Sequence, residues 1–207
     1  TILDTSWKSI NKFEASFYGV DPKKQDLPNQ ESVSEILNKI TKDEPWNVKD
    51  VTRSKRNRNP KKPFTTSTLQ QEGANRLNFR TSRTMSIAQQ LYEGVKIQRN
   101  QVVGLITYMR TDSTRIANSA RNEAIDFIEA EYGNEFVGAK KAPANAAGAQ
   151  DAHEAVRPTS VTRTPESIKK YLTKDQFSLY QLIWNRFVAS SMKSAGYNTR
   201  RVDVEQN

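Results

Sequence analysis

Apolar positions alternate loosely with polar ones near the two ends of the chain and recur at helical spacing through its middle. Residues 7–20 (WKSINKFEASFYGV) mix aromatic and polar side chains, which predicts a strand or hairpin arm. Residues 21–28 (DPKKQDLP) read as a loop from their prolines and charges. Val33, Ile36, Leu37 and Ile40 then share one side of a short amphipathic helix that Ser32 or Ser34 can cap. A second strand is expected from Trp46 to about Arg53.

From Phe64 the pattern turns helical. Ser67 or Thr68 can cap a helix running through Phe79, with Leu69, Ala74, Leu77 and Phe79 as its apolar side. Thr84 can cap a second, with Ile87, Ala88, Leu91 and Tyr92 on one face. Residues 118–132 place Ala120, Ala124, Ile125, Phe127 and Ile128 at helical spacing and stop at Gly133. Residues 140–150 (KKAPANAAGAQ) read as a flexible loop, and Thr164-Pro165-Glu166 opens a short helix with proline at its first position. Thr173 and Gln176 have the spacing of a capping box for a long helix through Phe177, Tyr180, Ile183, Trp184, Phe187 and Val188. A closing strand is expected over 197–205 (YNTRRVDVE).

Strands at both ends with helices between predict an α+β, multidomain chain. Its β-rich domain is discontinuous, 1–62 plus 193–207, and a mainly helical domain, 63–192, is inserted into it. The boundary is set by the run 53–63 (RSKRNRNPKKP), which has six basic residues and no acid. That run reads as a solvated linker in preference to a phosphate clamp.

Composition narrows the chemistry. The 207 residues carry 32 Lys plus Arg against 23 Asp plus Glu, a net charge of +9, which favours an anionic partner such as nucleic acid. With no cysteine, disulfides, thiolate catalysis and Cys-ligated zinc are excluded, and one histidine excludes a His-rich metal site. No metal ligands are predicted within the chain. No apolar run approaches the length of a membrane span and no signal-peptide pattern is present. The first residue, Thr1, lies inside what reads as a strand, so the sequence is taken as a piece of a longer protein.

The segment richest in chemistry is 104–114 (GLITYMRTDST). Residues 105–109 read as a short buried strand, whose period of two would set Ile106, Tyr108 and Arg110 on one face. A phenol beside a guanidinium suits attack on a phosphodiester. Tyrosine, with a pKa of about 10, is a weak nucleophile at neutral pH. A fixed cation favours the phenolate and neutralises charge building on the phosphoryl oxygens, and the fork of an arginine can hold two of them. Thr111, Asp112 and Ser113 add hydroxyls and one carboxylate, and Asp112 can orient Arg110 or assist proton transfer. A second cluster, 151–158 (DAHEAVRP), sets the lone His153 among Asp151, Glu154 and Arg157. There His153 can donate to a phosphate oxygen or act as an acid, with Glu154 holding it.

Taken together these segments resemble the bacterial type IA DNA topoisomerases. The similarity rests on GLITYMRTDST (104–114), QDAHEAVRPT (150–159) and PFTTSTLQQE (63–72), joined by AQQLYEG (88–94) and IWNRFVASSM (183–192), all in order between 63 and 192. The resemblance implies a two-domain arch, a β-rich hinge domain plus a helical domain carrying the tyrosine. It implies that Tyr108 cleaves single-stranded DNA through a 5′-phosphotyrosyl link, without ATP, and so relaxes negative supercoils. Arg110 would be the ligand of the scissile phosphate, His153 would join it in cleavage, and Asp112, Thr111, Gln89 and Arg157 would contact DNA. The family's magnesium-binding Toprim domain lies N-terminal to this region and nothing here resembles it. No cofactor is therefore expected in this segment, Mg2+ being held by that missing domain. Single-stranded DNA and the remaining domains of the parent enzyme are the expected partners, for a monomer in the cytoplasm, at the nucleoid. Without those domains the chain is expected to lack full activity. Two other readings stay open: a non-catalytic DNA-binding module in which Tyr108 packs, and an RNA-binding protein of ribosomal type.

Overall fold

The computed structural model describes residues 2–3, 13–20, 23–41, 44–98, 101–138 and 153–206. The chain divides into two compact units, Thr1–Arg56 with Asn198–Asn207, and Asn57–Tyr197. Helices and strands are mixed, in keeping with the α+β expectation.

The first unit is built from short antiparallel pairings. Strand β1 (Ile2–Leu3) pairs with β2 (Phe13–Glu14), and β3 (Gly19–Val20) with β4 (Lys23–Lys24). The stretch 21–28, expected to be loop throughout, thus supplies the return strand of a hairpin. Helix α1 (Gln30–Lys39) is capped not by Ser32 or Ser34 but by Asn29, whose side-chain oxygen accepts the Ser32 amide at 2.9 Å. Of its apolar positions only Ile36 is buried, and Leu37 is exposed. Strand β5 (Asn47–Arg58) runs on through most of the basic run that the sequence suggested was linker. Its partner is β8 (Ala195–Glu205), and the ladder satisfies backbone groups that a linker would leave to water. The division between units crosses this strand pair.

The second unit holds the main hydrophobic core. Helix α2 (Thr66–Leu77) begins earlier than a cap at Ser67 or Thr68 would allow. Thr65 is the cap, and Thr68 returns the bond to the Thr65 amide at 2.9 Å. The helix ends at Asn78, whose φ of 55° is a left-handed conformation that asparagine tolerates. It buries Leu69 and Gly73, while Ala74 faces solvent. Helix α3 (Thr81–Glu93) starts at Arg80, so Thr84 is not its cap but a fully buried helix-interior residue beside Gly73. The Thr84 hydroxyl has no hydrogen-bond partner among the described residues.

A hairpin that the pattern did not announce follows, β6 (Val95–Gln98) and β7 (Gln101–Val103), with a bulge between Lys96 and Gln98. Gly94 makes the turn into it at φ 120°, and a Cβ there would sit 2.6 Å from the Val102 side chain. Helix α4 (Asn118–Tyr132) and its stop at Gly133 fall where the spacing of its alanines and isoleucines put them. Helix α5 (Pro165–Ile168) is capped by Thr164, and α6 (Lys174–Ser190) by the reciprocal Thr173–Gln176 pair. Helices α2, α3, α4 and α5 all pack on α6, which buries Leu179, Tyr180, Ile183, Trp184, Phe187 and Val188. Phe127 of α4 meets Trp184 edge-on, with ring centroids 5.4 Å apart. Buried polar groups on α6 find partners: Trp184 Nε1 donates to Val161 O at 2.9 Å, and the Tyr180 hydroxyl to Arg163 O at 2.7 Å. Burial pushes the Tyr180 phenol well above its ordinary range, so it stays a neutral donor. Among the described residues no helix is long and apolar enough to cross a membrane.

Candidate active site

Three irregular segments of the second unit mesh around residue 108, and many of the hydrogen bonds between them join threonine hydroxyls to backbone. The first is 64–66, the lead into α2. The second is 104–117, which carries Tyr108. The third is 154–159. Isolated antiparallel bridges join Phe64 to Val156 and Ile106 to Pro158.

The tyrosine segment is not the strand its apolar run suggested. Beyond the single bridge at Ile106, residues 104–117 hold no regular structure. Leu105, Ile106 and Met109 are all buried, so Ile106 does not share an exposed face with Tyr108 and Arg110. From Tyr108 onward burial does alternate: Tyr108, Arg110 and Asp112 are exposed, Met109 and Thr111 buried. Tyrosine 108 keeps 45% of its surface, and its ring meets that of Tyr92 edge-on at 5.3 Å.

Two threonine hydroxyls fix the backbone on either side of Tyr108. Thr107 Oγ1 donates to Ala155 O at 2.7 Å and accepts the Arg157 amide at 3.0 Å, while the Thr107 amide donates to Arg157 O at 2.9 Å. Downstream, Thr66 Oγ1 accepts the Thr111 amide at 2.8 Å. Its one proton is shared between Met109 O at 2.7 Å and Thr111 O at 3.0 Å, and the Thr66 amide adds a bond to Thr111 O at 2.9 Å. Arg110 is therefore held between two pinned neighbours. Its guanidinium and the Asp112 carboxylate make no hydrogen bond or ion pair among the described residues, and so remain available for a ligand.

The other residues singled out from the sequence are placed as follows. Thr111 is nearly buried, and its hydroxyl accepts the Ser113 amide at 3.1 Å, a local turn bond. Gln89 lies close to one helical turn before Tyr92 on α3, the residue whose ring meets Tyr108 edge-on, and its side-chain amide donates to Glu93. His153 is exposed and lies two residues before Ala155, which is tied both to Thr107 and, through its amide at 2.9 Å, to Arg115 O. Asp151 lies outside the described residues.

Glu154 braces the backbone around the start of α4. One of its oxygens accepts the amide of Ala117, the residue that opens α4, at 2.7 Å. The other takes Arg157 Nη2 at 2.6 Å and Nε at 3.0 Å, while Arg157 Nη1 donates to Pro158 O at 3.0 Å. Both side chains of that pair are mostly buried, so Arg157 supports 154–158 from within. Thr66 and Thr107 were not singled out from the sequence. The signal for Thr66 was present in the threonine-rich PFTTSTL, but nothing local says which hydroxyl reaches across to residue 111.

No group of three or more His, Asp or Glu side chains able to hold a metal occurs among the described residues.

Comparison with known proteins gives this geometry a lineage. A family model described as DNA topoisomerase matches residues 6–207. The fold is similar to that of full-length topoisomerase I from Thermotoga maritima, with a TM-score of 0.71 and 42% sequence identity over 90% of this chain. The chain spans 29% of the length of that enzyme. The protein belongs to the DNA topoisomerase family, in its bacterial type IA branch.

Proposed function

We propose that this chain is the strand-cleaving part of a type IA DNA topoisomerase, with Tyr108 as nucleophile on single-stranded DNA. The phenolic oxygen forms a bond to phosphorus and the bond from phosphorus to the 3′ oxygen breaks. The phenol gives up its proton, the departing oxygen gains one, and a 5′-phosphotyrosyl link and a free 3′-hydroxyl remain. The reverse attack reseals the strand without ATP, because the phosphotyrosyl bond keeps the energy of the phosphodiester. Passage of another strand through the break relaxes negative supercoils.

Arg110 holds the scissile phosphate, where its charge offsets what builds up on the phosphoryl oxygens. His153 is assigned to the same phosphate as donor or acid. Asp112, which makes no bond to Arg110, contacts DNA, and Gln89, beside Tyr92, contacts the bound strand. Thr111 and Arg157 act through the backbone they hold. Magnesium is assigned, as the family resemblance implies, to a domain outside this chain.

One observation carries this reading. An exposed tyrosine is pinned by threonine hydroxyls on both sides, two residues from an exposed arginine with no protein partner among the described residues. Tyr108→Phe in an enzyme containing the remaining domains tests it. The covalent DNA adduct, trapped by denaturant, should vanish while the melting temperature holds. Persistence of the adduct, or unchanged plasmid relaxation, overturns the assignment and favours a binding module. The 207-residue chain alone is expected not to relax supercoiled plasmid even with magnesium.

A further inference from the structure

The β5–β8 strand pair carries cations that the site around Tyr108 does not use. Side-chain contacts fix its geometry. Lys49 pairs with Glu205 at 2.7 Å, and the Ser54 and Thr199 hydroxyls are 2.7 Å apart, so the strands run antiparallel with Ser54 across from Thr199. Thr199 Oγ1 also reaches Ser54 O at 3.2 Å.

Successive side chains of a strand point to opposite faces. The Ser54–Thr199 contact therefore sends Arg53, Lys55 and Arg200 to the other face, with Arg53 across from Arg200. All three are exposed, and none has an ion pair or hydrogen bond among the described residues. The nearby acids are already committed: Asp203 to Arg201, Glu205 to Lys49, and Asp50 to the Thr52 hydroxyl.

Two like charges set opposite each other weaken a strand pair, so folding gives no reason for this arrangement. An anion laid along the face would. Arg53 and Lys55, two residues apart, are about 7 Å apart along the strand, comparable with the separation of neighbouring phosphates on one nucleic-acid strand. The arginine forks suit phosphate oxygens.

We propose that Arg53, Lys55 and Arg200 form a second DNA-binding face, which holds the sugar–phosphate backbone of a single strand without reading its bases. The inference rests on DNA being the substrate, as proposed above, and concerns residues apart from those assigned to cleavage. Contacts of this kind position a strand and release counterions, so their signature is salt dependence rather than sequence preference.

The test is equilibrium binding of a fluorescent oligothymidylate to the 207-residue chain from about 50 to 200 mM salt. In R53Q/K55Q/R200Q the slope of log K against log salt should shrink by about 2, from roughly 0.7 per lost phosphate contact. The charge-preserving R53K/K55R/R200K should keep the slope. Arg200→Gln alone should lower it by about 0.7, which serves if the triple variant melts early. An unchanged slope in folded R53Q/K55Q/R200Q or Arg200→Gln overturns the proposal, as does the absence of measurable binding by the unaltered chain at the lowest salt. Those outcomes leave the Tyr108 adduct test untouched, and loss of the Tyr108 assignment leaves the slopes unchanged, so the two failures are distinguishable.

Discussion

Replacing Thr66 by valine removes one hydroxyl while keeping the β-branched shape, and it strikes the downstream clamp on Tyr108 and Arg110. The hydroxyl accepts the Thr111 amide at 2.8 Å and shares its proton between Met109 O and Thr111 O. Thr111 O keeps its bond from the Thr66 amide, so the losses are one accepted and one donated bond. Each is worth about 1 kcal/mol net, and the stranded Thr111 amide, in a nearly buried residue, raises the total to about 2–3 kcal/mol. For a domain of this size that is a fall in melting temperature of roughly 5–10 °C. Thr66→Ser keeps the hydroxyl and should recover most of it. In an enzyme with its remaining domains, adduct formation by Thr66→Val should fall by more than its folded fraction accounts for, because the peptides flanking Arg110 are no longer fixed. Calorimetry and adduct trapping at a temperature where the variant is folded measure the two effects separately. Wild-type melting in Thr66→Val would refute the clamp. Normal melting loss with wild-type adduct yield would refute its role in positioning.

Two further predictions concern the core of the second unit. Glu72 bonds Lys61 at 2.9 Å and Arg186 at 2.9 Å and also pairs with Arg76. The Lys61 bond foremost, then Arg76 and Arg186, outweigh partial burial and hold its carboxyl down to about 2 from 4.5. A depressed carboxylate pKa stabilises above the unfolded value, so the contribution is intact above about pH 4.5 and drains away toward pH 2. The ceiling is about 3 kcal/mol; with Lys61 and Arg76 more than half exposed, about 1–2 is expected. Glu72→Gln should lower stability at neutral pH and flatten its acid dependence, and denaturant titrations with equally steep acid loss in the variant would contradict this. Thr84→Val should raise stability by about 1 kcal/mol, since the wild-type hydroxyl is buried without a partner among the described residues. Chemical denaturation showing a loss would mean that the hydroxyl is in fact satisfied.

Helices α4 and α6 were legible because their signals are local: alanines and isoleucines at helical spacing before Gly133, and a Thr–Gln pair at capping distance ahead of a long apolar face. The candidate residues of the proposed site stand out for a different reason. Tyr108, Arg110 and His153 are rare chemistry in a distinctive string, and all three are exposed.

What needed the tertiary structure lies in bonds between distant parts of the chain. The basic run reads as linker until β8, roughly 145 residues on, supplies the ladder that makes it a strand. The apolar run 105–109 reads as a strand, but its backbone is satisfied by Leu91, Arg157, Thr159 and Thr66, which are not neighbouring strands at all. Thr84 has a cap's chemistry and a core residue's position, because α3 starts one turn earlier than a side-chain cap would require. The sequence by itself thus determined the segments with local periodicity and which side chains are candidates for the proposed site. Which hydroxyls fix those side chains was decided only by the fold, because a threonine hydroxyl bonds backbone equally well wherever it lands. Its partner is set by which segments the core brings together.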